Sequence, residues 1–191
     1  ITSIFRNKTI TIQTKSWGNN LIKLYISFLI SILIISCAHK AEEKLANPLV
    51  LKDGLLYSDS LSTIPYTGRN KSHMLDMKIE YDVVNGKKEG DFITYYPNDK
   101  IQMIGKMKEN KNVGEWKYYF SDGSLETSGF YDDDIPTGKW IWFQPDGKVL
   151  EEGNYIGGKR EGEWKSYDST GALNIVRLYK ENELIDSTKI N

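Results

Sequence analysis

The sequence predicts an all-β protein, an elongated antiparallel β-meander of repeated hairpins in a single-layer twisted sheet, preceded by a signal helix and a flexible tether. Three observations predict it. A glycine-x-aromatic element returns every 24 residues, as Gly90-Asp91-Phe92, Gly114-Glu115-Trp116, Gly138-Lys139-Trp140 and Gly162-Glu163-Trp164. The same interval relates Gly105, Gly129 and Gly153, and Tyr131, Tyr155 and Tyr179. Turn dipeptides keep the period too, at Asp122-Gly123, Asp146-Gly147 and Thr170-Gly171. Registers that agree on one interval mark small units that cannot bury their own face and must stack on neighbours.

Taken from the N-terminus, residues 1–36 read as a signal segment. Lys23 is followed by the uncharged run Leu24 to Ser36, shorter than the ~20 residues a bilayer span requires. A basic flank, a short apolar core and a small residue make a secretory signal pattern. Ile34-Ile35-Ser36-Cys37 resembles a bacterial lipobox, with Cys37 as the lipidation site, although Ile34 stands where leucine is usual. Cys37 is the only cysteine, so it has no partner for an intrachain disulfide. The competing reading of Leu24 to Ile35 is a buried core segment or uncleaved anchor. Residues 1–20 fit neither a signal nor a repeat, and translation from Leu21 is expected.

Residues 37–48 form a polar tether with Lys40, Glu42, Glu43 and Lys44. Residues 49–77 form a cap region, with a hairpin around Lys52-Asp53-Gly54 and an irregular Ile64-Pro65-Tyr66-Thr67-Gly68, where Pro65 excludes a central strand. Arg69 to Asp76 carry no period.

Residues 78–186 hold the repeats, and 187–191 form a tail. Ser121-Asp122-Gly123 and Pro145-Asp146-Gly147 suit type I turns closed by a glycine in the left-handed region, with Asp99 taking the glycine place after Asn98. The alternate connections, Asn85 to Gly90, Glu109 to Gly114, Asp132 to Gly138 and Gly157 to Gly162, read as longer polar loops. Eight strands lie between these turns: 92–96, 101–107, 116–120, 125–131, 140–143, 149–155, 164–167 and 173–179. Alternation places Phe92, Trp116, Trp140 and Trp164 on one face, with Gly90, Gly114, Gly138 and Gly162 as structural partners of the motif. Tyr95, Tyr119, Phe143 and Tyr167 lie on the other face, one aromatic per repeat. Eight strands at ~4.8 Å spacing make a face on the order of 900 Å², near the ~800 Å² one side of a standard interface covers. One face is therefore expected to bind a partner unless the sheet curls or the cap covers it.

Charge and chemistry narrow the function. Four of 25 basic residues precede Cys37, leaving 21 against 26 acidic ones in the remainder. A mildly acidic body without a basic stripe argues against nucleic acid as a partner. His39 lies in the tether and His73 in the cap beside Asp76, and no nucleophile, base and orienter accompany them. Asp132-Asp133-Asp134 is a candidate calcium loop, set against a plain solvated turn, and the cluster does not recur in the other repeats. Glu115 and Glu163 share a slot that Lys139 interrupts, which disfavours paired carboxylates for glycan cleavage. No enzyme activity, cofactor or metal is expected.

The Gly-x-Trp-x-x-Tyr, Asp-Gly and Gly-x-Tyr-x-x-Gly-Lys elements resemble the bacterial variant of the MORN repeat across residues 78–186. The unit Gly153 to Trp164 matches best, while the first repeat departs with Phe92 and Asp99. Pro65-Tyr66-Thr67-Gly68 resembles the segment that precedes such repeats. The resemblance implies a repeated-hairpin interaction sheet with no catalytic residues to carry over. Many members are labelled YwqK-type antitoxins, which implies a cytoplasmic toxin protein as partner and conflicts with the export signal. The sequence therefore leads to a lipid-anchored cell-envelope protein that binds a protein or glycan component, with a cytoplasmic antitoxin-like binder as the alternative. Exposed edge strands leave pairing between chains open.

Overall fold

The computed structural model describes residues 48–74 and 77–190, all within one compact unit, Leu45–Asn191. The signal segment and Cys37 lie outside the described residues. A small hairpin, β1 (Val50–Lys52) and β2 (Leu55–Tyr57), turns at Asp53-Gly54. Eleven strands follow in one sheet: β3 (Gly68–Met74), β4 (Met77–Val84), β5 (Lys87–Tyr95), β6 (Ile101–Lys108), β7 (Lys111–Tyr119), β8 (Leu125–Asp132), β9 (Ile135–Phe143), β10 (Val149–Ile156), β11 (Lys159–Tyr167), β12 (Leu173–Lys180) and β13 (Glu183–Lys189). Their spatial order is their chain order, and every pairing is antiparallel. The all-β meander expected from the period is the fold observed.

Two details differ from expectation. The sheet has three more strands than the repeat motif marks, because β3, β4 and β13 continue the ladder without carrying the motif. The connections expected to be long are two-residue turns. Both central residues have positive φ at Asn85-Gly86, Glu109-Asn110, Asp133-Asp134, Gly157-Gly158 and Glu181-Asn182. That is the type I′ geometry whose twist suits a tight hairpin. The strands consequently start about five residues before each Trp.

Non-glycine residues are held in this strained region by bonds to the preceding turn. Asn110 Oδ1 accepts from Lys88 N at 2.8 Å, Asp134 Oδ1 from Asn112 N at 2.7 Å and Asn182 Oδ1 from Arg160 N at 2.7 Å. The turns on the opposite edge are the expected type I turns with a left-handed closing residue, and Asp99 stands at φ 62° where Gly123, Gly147 and Gly171 stand elsewhere.

The motif glycines account for the core. Gly114, Gly138 and Gly162 have φ between 62° and 74°, and each one together with the two residues after it opposes a single residue of the preceding strand. This bulge throws the tryptophan onto that single residue, which is Gly105, Gly129 or Gly153. A Cβ on any of these three would overlap the indole lying on it. Each ring is thus packed flat on backbone, and Trp116, Trp140 and Trp164 are 2 %, 6 % and 0 % exposed. Between them stand Tyr131, Tyr155 and Tyr179, edge-on, with centroids 5.1–6.1 Å from the indoles. Edge-to-face contact at these distances is the favoured aromatic geometry. Trp116 Nε1 donates to Lys106 O and Trp140 Nε1 to Phe130 O, both at 3.2 Å.

Candidate binding faces and their neighbours

The two faces of the sheet have different chemistry. The first carries the aromatic ladder of Phe92, Trp116, Trp140 and Trp164, extended at one end by Tyr81 and at the other by Tyr179. Leu49, Leu56 and Tyr66 pack against its N-terminal part, around Ile79, Tyr81, Val83 and Phe92. Rings resting on glycine and wedged between tyrosines fill this face, so these side chains belong to the core.

The opposite face carries Tyr95, Tyr119, Phe143 and Tyr167, all half-buried. Each pairs across the strand with an aliphatic residue, as Tyr95 with Ile101, Tyr119 with Leu125, Phe143 with Val149 and Tyr167 with Leu173. Two strand spacings separate successive pairs by ~9.6 Å, so the four pairs make an apolar stripe of roughly 30 Å. Beside it runs a charged zone in which Lys106 meets Asp91 at 3.0 Å, Lys117 meets Glu115 at 3.0 Å, Lys139 meets Glu152 at 2.8 Å and Lys165 meets Glu163 at 3.2 Å. Tyr167 ties stripe to zone by donating to Glu152 Oε1 at 2.9 Å. The hydrogen bond from Lys139 holds the Glu152 carboxyl below its ordinary range. Burial pushes the Tyr167 phenol up, and acceptance by Glu152 adds to it.

The stripe ends at a cluster that the unperiodic cap sequence concealed. Glu80, 6 % exposed, faces Arg69 at 3.2 Å and Lys78 at 3.5 Å, while Arg69 also reaches Asp82 at 3.0 Å. The Lys78 ammonium lies 4.7 Å from the centroid of the Tyr95 ring. Burial pushes the Tyr95 phenol up, with the Glu80 charge second. Cross-strand pairing of β3 with β4 assembles this cluster, and no sequence period announces that pairing.

Other sequence candidates resolve into structural parts. Asp133 pairs with Lys111 at 2.8 Å and Asp134 caps Asn112 N, so the triple-aspartate segment is a turn that ties adjacent repeats. Among the described residues no three His, Cys, Asp or Glu side chains converge in a way that could hold a metal ion. His73 is exposed on β3 opposite Lys78. Glu115 and Glu163 each pair with the lysine two residues on. One group was legible only as a break in the period: Arg177 occupies the glycine slot of the last repeat, and Ser166 follows Tyr118 and Trp142 in theirs.

No curated protein matches the chain. Among solved structures, the crystal structure of a GtfA/B complex bound to UDP and GlcNAc aligns at 11 % identity and a TM-score of 0.23, over 77 % of this chain and 29 % of that one. The chain thus spans less than a third of that protein's length. The family model described as MORN repeat variant matches residues 88–109, 112–133, 136–156 and 160–181, each stretch starting near the head of one of the strands β5, β7, β9 and β11. Four consecutive hairpins of the ladder, from β5 to β12, thus match the MORN repeat variant model.

Proposed function

We propose that the chain is a non-catalytic repeat lipoprotein of the bacterial cell envelope, anchored by a lipid on Cys37, whose sheet binds a protein or an envelope glycan. The observation that carries the binding reading is the stripe of four aromatic–aliphatic pairs from Tyr95/Ile101 to Tyr167/Leu173. From Phe92 to Trp140 the tryptophan face is filled by its own rings, whereas among the described residues no second sheet is packed on the stripe. A half-buried apolar stripe bordered by paired charges has the make-up of an interface, with an apolar centre and a polar rim. The anchor reading rests on the lipobox-like Ile34 to Cys37 and the short apolar run before it.

The test is fractionation of bacteria that express wild type or Cys37→Ser in medium with labelled palmitate. The reading expects label and membrane sedimentation for wild type and neither for the variant. Soluble, unlabelled protein in both cases would overturn the anchor and turn the search to a cytoplasmic toxin partner.

A further inference from the structure

The last repeat departs from the others at four positions that meet on the tryptophan face. Arg177 stands in the slot of Gly105, Gly129 and Gly153; Ser166 in that of Tyr118 and Trp142; Glu151 in that of Thr127; and Arg160 in that of Asn112 and Pro136. Register brings them together, since Glu151 pairs with Ser166, and Arg177 pairs with Trp164 one step along. Where the second and third repeats carry an aromatic ring, the small Ser166 leaves a cleft of about 430 Å³. Trp142, Glu151, Arg160, Ser166 and Arg177 line it.

The cleft is ordered from below. The Arg160 guanidinium lies 4.2 Å from the Trp164 ring centroid and donates to the Tyr179 hydroxyl at 3.3 Å. Arg177 Nη1 donates to Ser166 Oγ at 2.9 Å and lies 3.5 Å from Glu151 Oε1, and Ser166 Oγ donates to the same carboxylate at 3.0 Å. Two guanidiniums facing one carboxylate leave a single positive charge. Each guanidinium has five N–H groups, more than these bonds use.

We propose that this cleft is a subsite for a carboxylated sugar ring, a ligand class that rests on the envelope-glycan form of the reading above. A planar guanidinium fork matches a carboxylate in two-point contact, and stacking on an aromatic ring fixes its orientation in advance. Trp142 supplies an apolar wall for the C–H face of a pyranose. The volume lies at the small end of ligand sites, which suits one ring. The single net charge favours a monoanion, because Glu151 repels a second negative charge in a partly dehydrated site.

Isothermal titration of the full chain with glucuronate, glucose, propionate and inorganic phosphate tests this, with the Trp142 indole N–H followed by NMR. Glucuronate is expected to bind one-to-one, at least tenfold more tightly than each of the other three, and to shift the Trp142 resonance. Arg160→Gln and Arg177→Gln should each weaken it at least tenfold. Arg160→Gln leaves the Glu151–Ser166–Arg177 bonds in place, so it decides the matter if Arg177→Gln fails to fold. Absence of saturable glucuronate binding, equal affinity in Arg160→Gln, or a preference for phosphate would overturn the proposal. Tyr119→Ser, on the other face, should leave glucuronate affinity unchanged. A loss of partner docking in that variant alone therefore reports on the stripe, and a loss of glucuronate binding in the arginine variants alone reports on the cleft.

Discussion

At the β3 end of the sheet the aromatic ladder is closed by other parts of the chain, whereas at the β13 end it is closed by charge. Near β3, Tyr81 takes the glycine slot and stacks on Phe92 with centroids 6.1 Å apart. Leu49, Leu56 and Tyr66 pack against this end, and three backbone hydrogen bonds pin the cover down: Leu56 N to Gly86 O, Tyr66 N to Leu56 O and Gly86 N to Tyr66 O, at 2.7–2.8 Å. Near β13, Arg160 lies over Trp164, Arg177 fills the last glycine slot, and every residue of the final strand is exposed. A repeat array must end somewhere, and its stability is a sum of units and neighbour contacts. One end was stopped by adding a partly buried lid, the other by replacing the ring-receiving glycine with a side chain that blocks a further ring. The middle, where ring, glycine and tyrosine recur without interruption, should be the most stable part.

The sharpest way to break this picture is in the middle. Trp140→Ser should cost about 4 kcal/mol by removing a buried indole, and Gly129→Ala about 3 kcal/mol by forcing that indole off the sheet. Urea denaturation measures both, and wild-type stability in either variant would refute the ring-on-glycine packing. The ends should then differ from each other. Leu56→Ala in the N-terminal lid should cost about 2 kcal/mol, and Ile185→Ser on β13 less than about 0.5 kcal/mol. Hydrogen exchange should release the β13 amides first, and faster exchange at β4 would reverse the comparison.

Tyr119→Ser, on the apolar stripe, should cost about 1 kcal/mol because the ring is only half-buried, while abolishing capture of the bound partner. Destabilisation equal to that of Trp140→Ser would make the stripe core and remove it as a docking face. Asp134→Ala should lose about 1 kcal/mol through one cap bond and a strained turn, and Asp134→Gly less, since glycine relieves the positive φ. Equal losses would show that the bond to Asn112 alone sets the effect.

The smallest effect is on pH dependence. The carboxyls of Asp122, Asp146 and Asp168 lie below the ordinary carboxylate range, chiefly through hydrogen bonds from the side chains of Ser124, Lys148 and Thr170 respectively. A carboxyl depressed in the folded state contributes stability that is present above the unfolded value of about 3.8 and is lost as pH falls through the folded value. The melting temperature should therefore drop below pH ~4, and Asp168→Asn should flatten part of that drop. An acid limb unchanged in Asp168→Asn would place the sensitivity elsewhere.

Much of this architecture was legible because a repeat states each rule several times. The period, the type I turns and the assignment of Trp116, Trp140 and Trp164 to one face and Tyr119 to the other all follow from spacing and two-residue alternation. Places without a second copy to compare were opaque. β3 shows no pattern because two of its buried positions hold the polar Asn70 and Ser72, and the Glu80 cluster exists only through its pairing with β4. The non-glycine type I′ turns read as loops because Glu109-Asn110 and Asp133-Asp134 are poor turn pairs by local preference.

By itself the sequence determined the repeat length, the antiparallel order and the two chemically distinct faces, since these depend on residues close in the chain and on backbone geometry. Only the tertiary structure decided which face is filled, because that depends on bulges that swing each indole onto a glycine of the neighbouring strand. It also decided that Arg160, Arg177, Ser166 and Glu151 share one cleft. Residues 26 positions apart meet there through strand register, which no local propensity encodes.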